Sequence, residues 1–393
     1  MSGGLLAFNA GSSSIKLALY DIAGGSAREV GRGALDLQRA PLTLTLALDG
    51  ERHSLPIDAP VTGSLHEVVD ALLAALEAAH ALGTLAAVGH RVVHGGRRFH
   101  GAVRVDAATL DAIDALTPLA PLHQPHSVRL MRALHALRPA LAQTASFDTA
   151  FHATQNELTR RFALPRALHD AGVLRYGFHG LSYAYIARAL AERAPTLAAG
   201  RVVALHLGSG ASLCAMAGGR SVDSSMGFST LDGVPMGTRC GALDAGVVLH
   251  LLQQRGLSVA EVEHLLYHES GLLGVSALSA DARTLEASDA PAAHEALALF
   301  AQRCAGEVAR LAATLGGLDA LVFTAGIGEH DAAMRAAIAA RLGWLGVALD
   351  ADANARHAER ISATGSAVAA FVIATDEERT IADEALALLG GAR

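Results

Sequence analysis

One short pattern occurs in both halves of the chain and limits the possible folds more than any other feature. Residues 5–8 form an apolar run, which is followed by the polar Asn9, one apolar residue and Gly-Ser. Residues 202–209 repeat this order, with His206 in the polar place. A second apolar run follows each copy, so each copy predicts two strands joined by a Gly/Ser turn. Two hairpins can resemble each other by chance. Alternatively, a duplicated domain would offer one such turn from each copy to a shared cleft.

Length and charge exclude several classes of protein. The 393 residues favour two domains at about 150 residues per domain, with a core large enough to need no disulfide or metal. The net charge is -7 and no segment is strongly basic, which argues against a nucleic-acid binder. No apolar run reaches about 18 residues, so we expect no membrane span, and we expect no secretory signal. Three cysteines without metal spacing indicate a reducing cytoplasm.

Three glycine-containing turns, each after an apolar strand, indicate a phosphate-binding protein. Residues 9–16 and 206–212 follow the two repeated strands, and such turns expose backbone N–H groups to anionic oxygens. Residues 326–330 differ, because we expect a strand to run through these glycines into a helix over residues 331–342. That layout aims helix N–H groups at a ligand. A single G-x-G is weak evidence, whereas three such turns are considerably stronger.

Two residues near the first turn and one near the end of the chain suit a bound phosphate and metal. Lys16 is the one lysine among 31 basic residues, and a compact ammonium suits a phosphate oxygen where a planar guanidinium does not fit. Chance placement of Lys16 is the alternative. Asn9 ends the first strand, where its amide oxygen could face a hydrated Mg²⁺. Glu377 opens the last predicted helix, where its carboxylate could reach a metal or cap the helix.

Further candidate active-site residues lie beside glycines or at the ends of predicted strands. Arg91 and Arg239 stand among small residues, and a guanidinium fork matches a carboxylate or phosphate; a surface arginine is the alternative for either. Asp148 follows an apolar strand, where a carboxylate requires a partner or a function. His123 and His179 are chosen by context alone from 19 histidines.

Together these segments resemble one family, the acetate kinases of the acetate and sugar kinase/Hsp70/actin superfamily. The matching segments include FNAGSSSIK, GHRVVHGG, FDTAFH, RYGFHG, HLGSGAS, MGTRCGALD, FTAGIGEH and TDEE, in the family's order over residues 8–378. The resemblance implies an α/β fold of duplicated actin-like (ribonuclease H-like) βββαβαβα domains around a nucleotide cleft. We expect an N-terminal lobe over residues 1–148, with the terminal helix of residues 381–393 packing back on it. A C-terminal lobe over residues 149–380 would carry the nucleotide site.

The resemblance also implies the reaction, which is reversible phosphorylation of acetate by ATP to acetyl phosphate and ADP with Mg²⁺, or Mn²⁺ as an alternative metal. A carboxylate is already ionised at neutral pH, so the difficulty is to bring an anion up to a polyanion. We therefore expect direct in-line transfer without a covalent enzyme intermediate. A propionate- or butyrate-preferring kinase is one alternative, and an actin- or chaperone-like ATP-driven switch is another. We expect a homodimer without nucleic-acid or membrane partners.

The resemblance assigns roles to individual residues. The expected catalytic residues are Arg91, Asp148, His179 and Arg239. The carboxylate would be held by Arg91, Val93, Leu122, His123 and Phe178. The nucleotide and its phosphates would be bound by Ser12, Lys16, His206, Leu207, Gly208, Ser209, Gly210, Asp281, Ala282, Arg283, Gly326, Ile327, Gly328, Glu329 and His330. The metal would be held by Asn9 and Glu377.

At a few places the chain departs from the residues usual in that family. Ser209 and His330 each stand where Asn is usual in the nucleotide turns, and Tyr183 stands where His is usual. Thr230 replaces the common Pro beside the acyl pocket, and Gln124 replaces Asn. The charged residues of the expected site are all retained.

Overall fold

The chain forms two compact units. A computed structural model describes residues 3–11, 14–60, 65–79 and 84–390. The first unit comprises Met1–Phe151 together with Asp376–Arg393, and the second comprises His152–Thr375. The last helix therefore belongs to the same unit as the first strands.

The first unit contains a sheet of eight strands within the described residues. These strands are β1 (Gly3–Ala10), β2 (Ser14–Ala23), β3 (Ser26–Asp36), β4 (Thr43–Leu48), β5 (Glu51–Pro56), β6 (Leu85–Val92), β7 (Val103–Arg104) and β8 (Ala142–Phe147). Their order is β5-β4-β3-β2-β1-β6-β8-β7. β1 to β5 form an antiparallel meander, whereas β6 is parallel to β1 and β8 is parallel to β6. The carboxyl ends of β1, β6 and β8 therefore lie at one edge of the sheet.

The second unit repeats the central part of this arrangement. Its strands are β9 (Arg201–Leu207), β10 (Ala211–Ala217), β11 (Arg220–Ser224), β12 (Ala320–Thr324) and β13 (Ala369–Val372). Their order is β11-β10-β9-β12-β13, with β12 parallel to β9 and β13 parallel to β12. In the first sheet β3-β2-β1-β6-β8 has the same order and directions. The two copies of the sequence repeat thus form the equivalent hairpins β1–β2 and β9–β10, as a duplicated domain requires.

Helices connect and cover the strands of both units. They are α1 (Leu65–Ala78), α2 (Ala107–Asp114), α3 (Gln124–Leu137), α4 (Glu157–Arg160), α5 (Arg166–Asp170), α6 (Gly180–Arg193), α7 (Pro195–Ala198), α8 (Ala245–Gln253), α9 (Val259–His268), α10 (Gly271–Ser276), α11 (Ala282–Glu286), α12 (Pro291–Leu315), α13 (Ala325–His330), α14 (Ala332–Ala340), α15 (Ala351–Ala355) and α16 (Glu377–Gly390). Single 3-10 turns lie at Thr117–Leu119, Ala150–Thr154 and Gly343–Leu345. In the part of the chain that the structure describes, none of the helices has the length and apolar character needed to cross a membrane.

Two helices pack their apolar faces on the first sheet. On α1 the buried residues Val69, Leu72 and Leu76 recur at helical spacing and belong to the main core of this unit. α16 packs on β1, β6 and β8. A side chain at Gly89 of β6 would begin 2.5 Å from Ile381 Cγ2, so a glycine here permits the close approach of α16. This approach holds the first turn of α16 near the sheet edge where β1 and β6 end.

The glycine segment of residues 326–328 is helical, which corrects the expectation of a strand running through it. β12 ends at Thr324, and α13 contains these glycines. The carboxylate of Glu329 accepts a hydrogen bond from the Ala325 N–H at 2.8 Å. This bond links the side chain of Glu329 to the first residue of the short helix. Ala325 has a φ of 63°, and this left-handed conformation turns the chain sharply from strand to helix. The expected helix over residues 331–342 is α14, with Asp331 as its N-cap.

Candidate active site

Three neighbouring strand ends of the first unit bring Asn9, Arg91 and Asp148 together. Asn9 and Arg91 lie near the ends of β1 and β6, and Asp148 follows β8. Arg91 Nε donates to Asp148 Oδ1 at 3.0 Å, and Arg91 Nη2 donates to Asp148 Oδ2 at 2.6 Å. Arg91 Nη1 donates to Asn9 Oδ1 at 3.0 Å. Residues that the sequence suggested separately therefore form one hydrogen-bonded group.

The ion pair in this group is buried and permanent. The side chains of Arg91 and Asp148 are 19% and 2% exposed. Burial raises the pKa of Asp148, and the guanidinium of Arg91 opposes that shift. Burial by itself would lower the pKa of Arg91, but Asp148 and the carboxylates at the start of α16 outweigh it and raise that pKa. Arg91 is therefore a fixed cation that Asp148 holds in one orientation.

The first turn of α16 adds two carboxylates beside Asn9. Asn9 Nδ2 donates to Glu377 Oε2 at 2.9 Å and to Glu378 Oε1 at 3.0 Å. Burial and the neighbouring Glu377 raise the pKa of Glu378, while the charge of Lys16 lowers it. Lys16 is exposed and stands opposite Asn9 in the β1–β2 pairing. We refer to the five residues Asn9, Arg91, Asp148, Glu377 and Glu378 as the charged cluster.

The charged cluster fits a divalent metal through its carboxylates. Two adjacent carboxylates, one with a raised pKa, repel each other, and a divalent cation would relieve that repulsion. The amide oxygen of Asn9 was expected to face the metal. Instead, this oxygen accepts a hydrogen bond from Arg91, and the NH₂ group of Asn9 donates to Glu377 and Glu378 and orients them. Among the described residues, no three or more His, Cys, Asp or Glu side chains surround a common metal position. Two carboxylates can be enough, because Mg²⁺ is usually bound through one or two carboxylates and keeps several waters.

The segment after β6 carries residues expected to hold the methyl group of the carboxylate. Val93 is buried, and Leu122 and His123 are half-buried. Gln124 ties this segment to the start of α3, because its Oε1 accepts the His94 N–H at 3.1 Å and its Nε2 donates to the His94 carbonyl at 3.0 Å. These bonds hold the start of α3 against the segment that follows β6. Ser12, expected at the phosphates, lies outside the described residues.

In the second unit, His179 precedes α6 and stacks its ring on that of His206. The ring centroids lie 4.2 Å apart with an interplanar angle of 16°. His179 Nδ1 hydrogen-bonds Ser212 Oγ at 2.8 Å, and His206 Nδ1 hydrogen-bonds Ser182 Oγ at 2.8 Å. We refer to His179, His206, Ser182 and Ser212 as the imidazole cluster. Both of its rings are oriented by serines through Nδ1.

His152 fixes the segment that leads to His179, a role that sequence reasoning missed. His152 Nε2 lies 2.8 Å from the Phe178 carbonyl oxygen, and Nδ1 lies 2.9 Å from Ser221 Oγ. Burial lowers the pKa of His152 to about 4, so the ring is neutral at pH 7 and donates from Nε2 to the carbonyl. A side chain at Gly177 would begin 2.6 Å from this ring. Phe178, expected in the carboxylate pocket, is fully buried here.

The turn after β9 is tight and lies against both imidazoles. The Gly208 N–H donates to the Gly210 carbonyl at 3.1 Å. A side chain at Gly210 would begin 3.5 Å from His179 Nε2 and 3.8 Å from Arg239 Nη1, and one at Gly208 would begin 3.9 Å from His206 Nε2. Because neither glycine has a side chain, the backbone of the turn lies close to both Nε2 atoms and to the guanidinium.

Arg239 lies in a loop that folds against the same turn. Its Nη1 donates to the Thr230 carbonyl at 3.0 Å, and the Gly237 N–H donates to the Ser209 carbonyl at 3.4 Å. Ser209 is exposed, whereas Leu207 is fully buried. Leu207 can therefore serve a ligand only through its backbone.

The remaining predicted nucleotide residues lie on two short helices of the second unit. Asp281 pairs with Arg283 at 2.6 Å, and the Arg283 side chain is 88% exposed; Ala282 between them is buried. In α13, Glu329 turns inward and accepts the Thr375 N–H at 3.2 Å. Across the other positions of α13, Gly326 and His330 are exposed, Ile327 is half-buried and Gly328 is buried.

The sequence also gave no indication of Arg335. This fully buried side chain donates to the carbonyls of Gly328 and Glu329 at 3.0 and 2.9 Å, and to Asn354 Oδ1 at 2.8 Å. It holds the end of α13, but an arginine that binds carbonyls from two segments leaves no local pattern. Glu378, by contrast, adjoins Glu377 in the TDEE segment and could have been chosen with it.

Comparisons with known proteins match nearly the whole chain to one family. Residues 4–383 match the model of the Acetokinase family. The chain is 50% identical to the acetate kinase of Rhodopseudomonas palustris (strain TIE-1) over 402 residues, covering 100% of both proteins. It is similar to the crystal structure of a propionate kinase from Francisella tularensis subsp. tularensis SCHU S4, with a TM-score of 0.89 and 35% identity over 98% of this chain and 99% of that one. For Porphyromonas gingivalis acetate kinase the TM-score is 0.87 at 32% identity, covering 99% and 100%.

Proposed function

Because the chain belongs to the acetokinase family, we propose that it transfers a phosphoryl group reversibly between ATP and acetate. It is a phosphotransferase with a carboxyl group as acceptor. The predicted α/β fold of duplicated actin-like domains is confirmed by its similarity to solved acetate and propionate kinases. Membership implies ATP or ADP and a divalent metal. For this chain we propose Mg²⁺, with Mn²⁺ as an alternative, because the charged cluster supplies carboxylate oxygens.

The observation that carries the proposal is the fixed guanidinium of Arg91. A guanidinium has five N–H groups, and Arg91 directs Nε and one N–H of each terminal nitrogen to Asp148 and Asn9. One N–H on each terminal nitrogen is left over from these bonds. N–H groups on the two terminal nitrogens can each donate to a carboxylate oxygen. Arg91 is therefore suited to bind and orient acetate as the nucleophile.

Asp148 acts, in this proposal, by orienting Arg91. Acetate is already ionised at neutral pH, so the reaction needs no general base to generate the nucleophile. The two-point contact between Asp148 and Arg91 supports the arginine over a metal or a water as the partner of this carboxylate. Asp148 is thus a positioning residue, because it does not itself need to touch the reacting atoms.

We propose that the second unit serves the nucleotide and the transferred group. The N–H groups of Ser209 and Gly210 in the turn after β9 can bind phosphate oxygens. Arg239 and His179 can stabilise negative charge on the phosphoryl oxygens, because the guanidinium and the Nε2 atom of the ring both lie beside this turn. Lys16 of the first unit adds an exposed ammonium for the phosphates.

Glu377 and Glu378 would hold the metal, with Asn9 orienting both carboxylates. When bound, the ion would neutralise charge on the nucleotide phosphates. Arg91, Arg239 and Lys16 provide the remaining positive charge, which allows an anionic carboxylate to approach a polyanion.

The direct test is acyl phosphate formation by the purified protein. With ATP, Mg²⁺ and acetate, trapping by hydroxylamine should give acetohydroxamate in proportion to the ADP formed. ATP consumption without hydroxamate would contradict the proposal and support a nucleotide switch. In-line transfer also predicts that ATP alone leaves no phosphate covalently bound to the protein; stable protein-bound phosphate would exclude direct transfer.

Propionate is the second candidate acceptor, because a propionate kinase is among the similar solved structures. One methylene is worth only about 1–3 kcal/mol in a pocket, so activity on both substrates is expected. Relative kcat/KM for acetate, propionate and butyrate decides between them, and we expect the largest value for acetate.

We also propose that the protein is a homodimer through α8 and its flanks. None of the residues of α8 is buried in the single chain, and Val247 and Leu249 are 40% and 53% exposed. Val259 on α9 is 73% exposed. Contiguous exposed apolar surface marks an interaction site. Sedimentation should give a dimer for the wild type and a monomer for Leu249→Glu, whereas Leu158→Glu at another exposed leucine should remain dimeric.

The cysteines support a reducing compartment, which we propose to be the cytoplasm. Cys214, Cys240 and Cys304 are free thiols, and buried thiols such as Cys214 persist unoxidised where the surroundings are reducing.

A further inference from the structure

Tyr183 is linked to His179 by a short chain of hydrogen bonds that none of the roles above uses. Tyr183 is fully buried on α6, one helical turn after His179. Its hydroxyl lies 2.6 Å from Ser212 Oγ, and Ser212 Oγ lies 2.8 Å from His179 Nδ1. A phenol, a serine and an imidazole are thus connected in line.

The direction of these hydrogen bonds follows from the number of protons that each group can donate. A serine hydroxyl has one proton to donate, and a phenol, with a pKa of about 10, is the stronger donor of the two hydroxyls. When Tyr183 donates to Ser212 Oγ, the proton of Ser212 points to His179 Nδ1. Nδ1 is then an acceptor, so in the neutral ring the proton resides on Nε2.

Two groups lie close to the His179 ring, the ring of His206 and the guanidinium of Arg239. The ring of His206 is stacked on it at 4.2 Å, so two imidazolium ions there would repel each other. A side chain at Gly210 would begin within 4 Å of both His179 Nε2 and the Arg239 guanidinium, which places a permanent cation near the ring as well. Neighbouring positive charge disfavours protonation of a histidine.

We propose that Tyr183, acting through Ser212, holds His179 in the tautomer that carries its proton on Nε2, the atom facing the Gly208–Gly210 turn. This inference rests on the proposed function, because Nε2–H is then the donor available to a phosphoryl oxygen. Tyr183 is a positioning residue in this arrangement. A donor fixed before the substrate binds needs no reorganisation during the reaction.

The test combines a spectroscopic measurement on the free protein with kinetics. In the wild type labelled with ¹⁵N-histidine, long-range ¹H–¹⁵N correlation should show the His179 proton on Nε2, with the resonance assigned through His179→Gln. Tyr183→Phe removes only the hydroxyl. We expect a mixture of tautomers, a fall in kcat of about tenfold, below the 10²–10³-fold loss from deleting a donor, and KM values within about twofold.

Tyr176→Phe is the matched control. Tyr176 is also buried, and its hydroxyl donates to the Gly172 carbonyl at 2.9 Å, so this variant loses a comparable bond without touching the chain to His179. Neither the ring resonances of His179 nor kcat should change. Ser212→Ala breaks the chain at its middle and repeats the test if Tyr183→Phe does not fold.

Each remaining outcome overturns the inference. A wild-type proton on Nδ1 contradicts the stated tautomer, and an unchanged His179 resonance in Tyr183→Phe and Ser212→Ala contradicts the role of the chain. A shifted resonance with unchanged kcat shows that the tautomer does not matter for the reaction. If the wild type forms no acyl phosphate, the proposed function fails, while the measurement on the free protein still tests the hydrogen bonds.

Discussion

At equivalent strand ends of the two sheets, the first unit places an ion pair and the second places a histidine and a threonine. Asn9 and His206 occupy the same position of the sequence repeat. Beside Asn9, at the end of β6, stands Arg91, paired with Asp148. Beside His206, at the end of β12, stands Thr324, and the bonds of His206 run to serine instead. The duplicated scaffold therefore fixes where the functional residues stand but not their chemistry.

The difference predicts how each unit responds to substitution. An unpaired buried ion costs about 3–5 kcal/mol, whereas a lost neutral hydrogen bond costs about 1–3 kcal/mol. In the charged cluster Arg91 and Asp148 form a two-point ion pair, so removal of one charge leaves the other unpaired. The imidazole cluster is held by ring stacking and by hydrogen bonds to serines, so loss of one contact there should cost less.

The largest effect is expected from Asp148→Asn. It keeps the shape of the side chain but removes the charge that orients Arg91, so kcat/KM for acetate should fall about 10²–10³-fold, chiefly through KM. Adding Arg91→Ala should lower kcat/KM little further, because the two residues act as one unit. Steady-state kinetics of single and double variants measure this, and multiplicative losses would contradict it.

The matched control for this pair lies in the second unit. Arg201 contacts Asp319 through Nε at 3.0 Å and Nη2 at 2.7 Å, which is the same two-point geometry. Since this pair is more exposed, at 42% and 32%, Asp319→Asn should change kcat/KM by no more than about twofold.

The next effect concerns the metal. Glu377→Gln removes one carboxylate charge from the charged cluster, so the Mg²⁺ concentration for half-maximal rate should rise about 10–100-fold. Titration of Mg²⁺ at saturating ATP and acetate measures the shift. Glu29→Gln, which removes a carboxylate paired with Arg32 at the surface, should leave the Mg²⁺ requirement unchanged; equal shifts in both variants would exclude Glu377 from the metal site.

Two glycine substitutions separate stability from binding. Gly89→Ala places a methyl group 2.5 Å from Ile381 Cγ2, so the free energy of unfolding should fall by about 1–3 kcal/mol. Gly210→Ala meets only ordinary contacts, at 3.5 Å or more, so stability should hold while KM for ATP rises about tenfold, or about 1.4 kcal/mol. Urea unfolding and KM measurements decide, and a reversed pattern would contradict the assignment of the turn to the phosphates.

The last prediction is a pH dependence of stability. Burial lowers the pKa of His90 and His94 in the first unit, and of His152 in the second, to about 4. The unfolded chain binds these protons near pH 6.5, so it holds more protons than the folded chain between about pH 4 and 6.5. Stability should therefore fall as pH falls through that window, by at most about 1.4 kcal/mol per pH unit for each ring.

Urea unfolding at pH 5 and pH 7 measures this loss of stability. His90→Gln, which can still reach the buried Gln143 side chain, should reduce the difference between the two pH values. An undiminished difference would show that carboxylates, not this buried imidazole, govern the acid sensitivity.

Local pattern is sufficient for part of the fold. Thr43–Leu48 alternates in the way that predicts a strand, Arg201–Leu207 is a mostly apolar run, and these are β4 and β9. Gly326 and Gly328 were misread because a helix here depends on the inward turn of Glu329 and on Arg335, which are tertiary contacts. Motif residues such as Arg91 and Asp148 could be named from the sequence.

The hydrogen bonds among these residues could not be predicted from the sequence. The sequence places Asn9, Arg91 and Glu377 far apart, and only the parallel order of β1 and β6 with the packing of α16 brings them together. The role of Tyr183 could not be predicted for the same reason, because its hydroxyl acts through Ser212, a residue of another element.

The central claim is that the first unit recognises the carboxylate and the second stabilises the transferred phosphoryl group. Parallel kinetics of Arg91→Ala and Arg239→Ala with acetate, propionate and butyrate test it most directly. We predict that Arg91→Ala raises KM for each carboxylate at least tenfold, about 1.4 kcal/mol, with KM for ATP nearly unchanged, and that Arg239→Ala lowers kcat about 10²–10³-fold with little change in either KM. Unchanged rates in both variants, or the same pattern of change in both, would contradict the division of labour between the two units.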